Sequence, residues 1–198
     1  MDVLKLGERL KFELRHSYTS SGRQESVAEH TWRMALMAVL MEPYLDRNVD
    51  MAKLLKMVIL HDLVEAEAGD VSALDVLRDP SLKLLKQQRE VRAVERLRDA
   101  LGDPLGHEVY ALWFEFEDKL TYESNVANAF DKLEVQLQHN DAGIETWEEI
   151  EYGMSYTMNR YVDFDSALSG LKDLIEQEAE RKMQAAGIDT AAVKSRVW

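Results

Sequence analysis

Apolar residues recur at three- and four-residue spacing along nearly the whole chain, and only three prolines and nine glycines interrupt them. That period is the helical one, and no stretch alternates apolar and polar residues for long enough to build a sheet. The spacing predicts an all-α fold. With 198 residues, 46% of them hydrophobic, the chain can bury one compact core, and a single domain over residues 1–198 is expected.

Local signals divide the chain into helices. Val3, Leu4 and Leu10 suggest a first helix ending near Leu14. Ser26 and Glu29 have the S-x-x-E spacing of a capping box and open a second helix. Its expected buried face is Val27, Trp32, Ala35, Leu36 and Val39. Asp50 caps a third helix running to about Ala68, where Gly69 ends it. The pairs Asp79-Pro80 and Asp103-Pro104 each read as a cap followed by the first helical position. They start helices from about Ser81 to Ala100 and from about Leu105 to Phe116. "ESNVANAFDKLEVQLQHN" is another helix, with Val126, Phe130, Leu133 and Leu137 on one side, and "DSALSGLKDLIEQEAERKMQAAG" is a final amphipathic one.

Ionisable groups intrude on these apolar faces. "LKMVILHDLVEAEAGDV", Leu55 to Val71, sets His61, Asp62 and Glu65 into an apolar run. A buried helix avoids such groups unless something pairs with them. His30 lies one turn into the second helix, and Asp131 follows Phe130 in "NAFDKLEVQL". A lone helical histidine is most often a surface residue or a hydrogen-bonded core residue, and Asp131 alone can pair with Lys132. Together, two histidines and two carboxylates make an all-nitrogen-and-oxygen metal set. It suits Mn²⁺, Fe²⁺, Co²⁺, Ni²⁺ or Zn²⁺ better than Ca²⁺ or Mg²⁺. Glu65 stands at i+4 from His61 on the same face. It can ligate the metal or sit beside a metal-bound water as a general acid/base.

Composition narrows the chemistry. The chain has no cysteine, which removes disulfides, thiolate metal sites and a cysteine nucleophile. Lack of disulfides fits a reducing compartment. With no signal-peptide pattern and no apolar run of spanning length, a soluble cytoplasmic protein is expected. The formal net charge is −13, which disfavours a nucleic-acid or anionic-membrane surface, because both need a basic footprint. An anionic substrate would need a local cation.

"ESVAEHTWRMALMA", "LHDLVEAEAGD" and "AFDKLE" resemble the HD-domain metal-dependent phosphohydrolases, with the order H…HD…D at His30, His61-Asp62 and Asp131. The segments "R-x-E-S-V-A-E-H" and "H-D-x-x-E-x-x-x-G-D", with the later "D-K", look like the branch containing the 5′-deoxynucleotidases. The resemblance runs from about Leu10 to Leu137. It implies an HD-domain helical bundle, often dimeric, with a metal-site core over about residues 10–140 and C-terminal helices over about 141–190. It implies one divalent metal held by His30, His61, Asp62 and Asp131, with Glu65 as acid/base. Arg15 matches an arginine that contacts phosphate, Arg23 is a second candidate, and Asp70 matches a residue near the sugar. His16 departs from a tryptophan that some bacterial members carry there, where it crowds the sugar 2′ position.

The expected activity is release of phosphate from nucleoside 5′-monophosphates, 2′-deoxy forms preferred, by a homodimer. Hydrolysis of deoxynucleoside or analogue triphosphates and a non-catalytic helical binding role are the alternatives. Two-metal oxidation would need further ligands beside the set, and His16, His107 and His139 do not lie in such a segment.

Overall fold

The computed structural model describes residues 2–197. Twelve helical segments follow one another: α1 Asp2–Gly7, α2 Val27–Met41, α3 Met51–Leu60, α4 Glu65–Ala68, α5 Ala73–Arg78, α6 Ser81–Leu101, α7 Leu105–Asp118, α8 Tyr122–Asp141, α9 Glu149–Met154, α10 Asn159–Val162, α11 Ser166–Ala185 and α12 Thr190–Lys194. The expected all-α architecture stands. α8 is its axis, packing against α2, α3, α7, α10 and α11. Val126, Phe130 and Leu133 of α8 are fully buried with Met34, Leu54 and Val58. A second apolar cluster joins Val27, Leu63 and Val64 to Val94 and Leu97 of α6 and Trp113 of α7.

Most caps follow the sequence signals, but Asp103 does not cap α7, which opens at Pro104 with no side-chain cap. Ser26 and Glu29 form the capping box of α2. Asp50 accepts from Lys53 N at 3.1 Å, and Asp79 accepts from Ser81 N at 3.0 Å. Gly69 ends α4 at φ 77°, a left-handed conformation that a side chain disfavours.

Three local expectations are corrected. The first helix does not reach Leu14. α1 stops at Gly7, a 3-10 turn covers Glu8–Lys11, and Leu14–Tyr18 forms strand β1, antiparallel to β2, Gln24–Ser26. This hairpin buries Ser17, Glu25 and Ser26. A strand with polar residues inside lacks the apolar alternation that marks one. The third helix is not continuous either: it tightens to a 3-10 turn at His61–Val64 between α3 and α4. Finally, α2 buries Val27, His30, Thr31, Met34, Met37 and Ala38, whereas Trp32, Leu36 and Val39 are 66%, 40% and 52% exposed. α2 carries apolar residues on two faces, and at about 100° per residue these three lie opposite Val27, Met34 and Ala38.

Candidate metal centre and active site

α2, the tight turn after α3, and α8 bring His30, His61, Asp62 and Asp131 together. His30 Nε2 lies 3.3 Å from Asp131 Oδ1 and 3.8 Å from Asp62 Oδ2. His61 Nε2 lies 3.2 Å from the same Asp62 oxygen. The 3-10 turn aims the neighbours His61 and Asp62 at one point, and Trp113 Nε1 donates to the His61 carbonyl at 3.1 Å.

Each imidazole is anchored through its other nitrogen. His61 Nδ1 donates to the Val58 carbonyl at 2.8 Å, and His30 Nδ1 donates to Glu134. Both Nε2 atoms are buried without a hydrogen-bond partner. An orphaned buried ring nitrogen is costly, and two of them facing two carboxylates fit a divalent metal. His30, His61 and Asp62 have ligand atoms within 4.8 Å of one another. Asp131 joins them from α8, while Lys132 Nζ donates to its other oxygen at 2.7 Å.

Charge is balanced by proximity. Burial opposes ionisation of Asp62, but His61, His30 and Arg15 hold its carboxyl well below the usual range. Burial likewise opposes Asp131, which Lys132 and His30 hold low. Burial and Arg15 disfavour a charged His30, yet Glu134 and Asp131 raise it to about 9.

Glu65, in the first turn of α4, is buried with Oε2 unpartnered. Burial, with Asp62 and Asp70 nearby, pushes its carboxyl up to about 9, while Lys86 and Arg15 pull the other way. Lys86 Nζ of α6 stands 3.4 Å from Glu65 Oε1. Arg15 of β1 reaches toward Asp62 at 3.6 Å and Glu25 at 3.5 Å. Asp70 is anchored by its backbone N–H on Glu13 at 2.9 Å. Its carboxyl, raised by burial, feels Arg15 and Lys86.

Two expected substrate contacts lie elsewhere. Arg23 is exposed and clamped by Glu29, with Nη1 to Oε2 at 2.9 Å. It does not join the converging groups. The His16 ring turns toward the C-terminal helices, with Nε2 3.3 Å from Glu151 and the His139 ring 6.5 Å away. A cavity of about 330 Å³ opens on His61, Asp62 and Asp131, with Lys86, Asn128 and Tyr161 also in its wall. A larger cavity, about 840 Å³, lies apart beside Ile150, Met154, Ile188 and Val193 and touches none of these groups.

The family described as HD domain matches residues 7–172. This chain belongs to the HD-domain family. The HD-domain relatives include the 5′-deoxynucleotidase HDDC2 of Xenopus laevis, 35% identical over 61% of this chain and 57% of that protein. The protein of the same name from Dictyostelium discoideum is 31% identical over 70% of this chain and 74% of its own length. A predicted metal-dependent phosphohydrolase from Magnetospirillum magnetotacticum superposes with a TM-score of 0.76 at 29% identity, covering 91% of this chain and 92% of that one. The resemblance read from the motifs is borne out, and with it an HD-domain enzyme of the phosphohydrolase kind.

Sequence reasoning missed Glu25, Arg33, Lys86 and Glu134 as parts of this HD-domain site. Glu134 had a signal: it sits one turn after Asp131 on the same face. Lys86 had none, since a lysine in a charged helix reads as solvated surface.

Proposed function

We propose that this protein hydrolyses nucleoside 5′-monophosphates to nucleoside and inorganic phosphate, with 2′-deoxy forms preferred and one divalent transition metal held by His30, His61, Asp62 and Asp131. The observation that carries this reading is the pair of unpartnered Nε2 atoms facing two carboxylates, beside the Arg15 guanidinium 3.6 Å from Asp62 and the buried Glu65. The Xenopus and Dictyostelium relatives carry the name 5′-deoxynucleotidase, which supports the substrate class.

His30, His61, Asp62 and Asp131 would hold the divalent ion, which would supply Lewis acidity and a more acidic water. Water oxygen bonds to phosphorus as the bond to the 5′ oxygen breaks. Arg15 sets its planar fork against the phosphoryl oxygens, a role a buried guanidinium fills better than an ammonium. Glu65, buried beside the site, is placed to deliver a proton to the departing 5′ oxygen and to recover one from the attacking water. Asp70 accepts from the sugar 3′-hydroxyl. His16 follows Arg15 on β1 but turns its ring to Glu151, so it has no part in this scheme, and the deoxy preference rests on the named relatives. Arg23 has no part in this scheme, since Glu29 engages it.

Trp32, Leu36, Val39 and Leu40 form an exposed apolar stripe on α2, a surface suited to a homodimer. No helix among the described residues is long and apolar enough to cross a membrane. With no cysteine in the chain, we assign a cytoplasmic setting.

The test is phosphate release from ribo- and deoxyribonucleoside mono-, di- and triphosphates, with Mn²⁺, Co²⁺, Fe²⁺, Ni²⁺ or Zn²⁺ restored to stripped protein. Turnover of dAMP well above dATP is expected. The reverse order would replace the monophosphatase reading with the triphosphate one, and no release with any metal would favour a binding role.

A further inference from the structure

His30 and His61 are held in different ways. A backbone carbonyl, Val58 O, fixes His61. Side chains alone fix His30. Glu134, fully buried on α8 one turn beyond Asp131, accepts from His30 Nδ1. Its other oxygen accepts from Arg33 Nε at 2.7 Å. Arg33 sits one turn beyond His30 on α2, so the pairs His30/Arg33 and Asp131/Glu134 face each other across the α2–α8 interface. The Arg33 guanidinium also donates to Gln138 and Asp141 of α8. Gln138 in turn donates to the Tyr18 carbonyl of β1 at 2.7 Å.

This chain of bonds ends on one atom. With Nδ1 bound to Glu134, the ring's remaining lone pair is at Nε2, the atom 3.3 Å from Asp131. A carboxylate behind a metal-bound histidine fixes its tautomer and orientation and raises its basicity. Glu25, His30 and Glu134 also bring ligand atoms within 4.8 Å of one another, which raises the question of a second ion. Arg33 on Glu134 and Arg15 near Glu25 already supply two positive charges there. A second divalent cation would face both.

We propose that Glu134, clamped by Arg33, is a positioning residue for the divalent metal: it holds His30 so that Nε2 presents its lone pair to the site shared with Asp62 and Asp131. This rests on the metal reading given above. Neither residue touches substrate. Their effect therefore falls on ion affinity, and on turnover only through ion occupancy.

The experiment is Mn²⁺ titration of stripped protein by calorimetry, with melting temperatures measured on the same samples. Wild type should bind one Mn²⁺ per chain. Glu134→Gln keeps the shape but loses the charge, and its Kd should rise about 10–100-fold. Saturating Mn²⁺ should restore most of its turnover. Met183→Ala, a core change in the separate cluster around Trp147, should lower the melting temperature and leave Kd alone. That control separates positioning from general loosening. A folded Glu134→Gln with wild-type Kd overturns the proposal, as does a wild type that binds two ions. If Glu134→Gln does not fold, Arg33→Gln decides: weaker Mn²⁺ binding sustains the proposal, and an unchanged Kd removes it. Failure of wild type to bind any divalent ion would sink the metal reading itself, a distinguishable result.

Discussion

Glu65 and His61 bracket the tight turn that carries Asp62, and one change at each separates their roles. His61→Ala removes a ligand and leaves Asp62 and Asp131 facing each other, so metal content and turnover should both collapse. Glu65→Gln should keep the metal and lose about 10²–10⁴-fold in kcat, the usual scale for a general acid/base. Elemental analysis beside steady-state kinetics reads both, and metal loss in Glu65→Gln would make Glu65 a ligand. The raised Glu65 carboxyl also has a consequence for the metal-free protein. Its folded value of about 9 lies above the usual 4.5, so the folded state binds more protons than the unfolded state between those values. Its stabilising contribution is present below about pH 4.5 and declines as pH rises toward 9. Glu65→Gln lacks that slope. The stripped variant should gain stability over stripped wild type at about pH 8 relative to pH 5. Parallel stability curves from scanning calorimetry at the two pH values would contradict the buried, protonated state.

At the scale of elements, regular helices were legible and their interruptions were not. Capping signals at Ser26, Asp50 and Asp79 mark local hydrogen bonds, and local chemistry is what sequence spacing encodes. The β1–β2 hairpin was hidden because its inward residues are Ser17, Glu25 and Ser26, polar groups that give no apolar alternation. The break at His61–Val64 was hidden because an apolar run reads as helix whether or not it tightens. α2 misled in a further way: both of its faces are apolar, and periodicity alone cannot say which one the rest of the chain covers. The outward face carries its own prediction. If Trp32, Leu36 and Val39 bury against a second copy, Leu36→Glu should convert a dimer into a monomer, measured by light scattering, with helical content unchanged. A wild-type mass for that variant would exclude this face as the interface.

Over the whole molecule, the four proposed metal ligands lie on three helical elements from His30 to Asp131; the motif order names these residues, and the fold brings them near one another. What the order could not supply is the support behind each ligand: Glu134, Arg33 and Trp113 act through distances that only the packed α2, α7 and α8 establish. The same assembly couples the metal to global stability. The chain carries a formal net charge of −13, and the site gathers Asp62 and Asp131 beside His30 and His61. A ligand that binds the folded state alone stabilises it by RT ln(1 + [L]/Kd), about 2.7 kcal/mol at a hundredfold excess over Kd. For a domain of this size, each kcal/mol moves Tm by about 2–4 °C. Adding Mn²⁺ to stripped protein at that excess should therefore raise Tm by roughly 5–11 °C near neutral pH. The gain should shrink under acid, because protons compete with the ion for the lone pairs of its ligands. His61→Ala should lose most of the increment while melting as cooperatively as wild type. An equal Mn²⁺ increment in wild type and His61→Ala would mean that the ion stabilises the fold from some other place on its acidic surface.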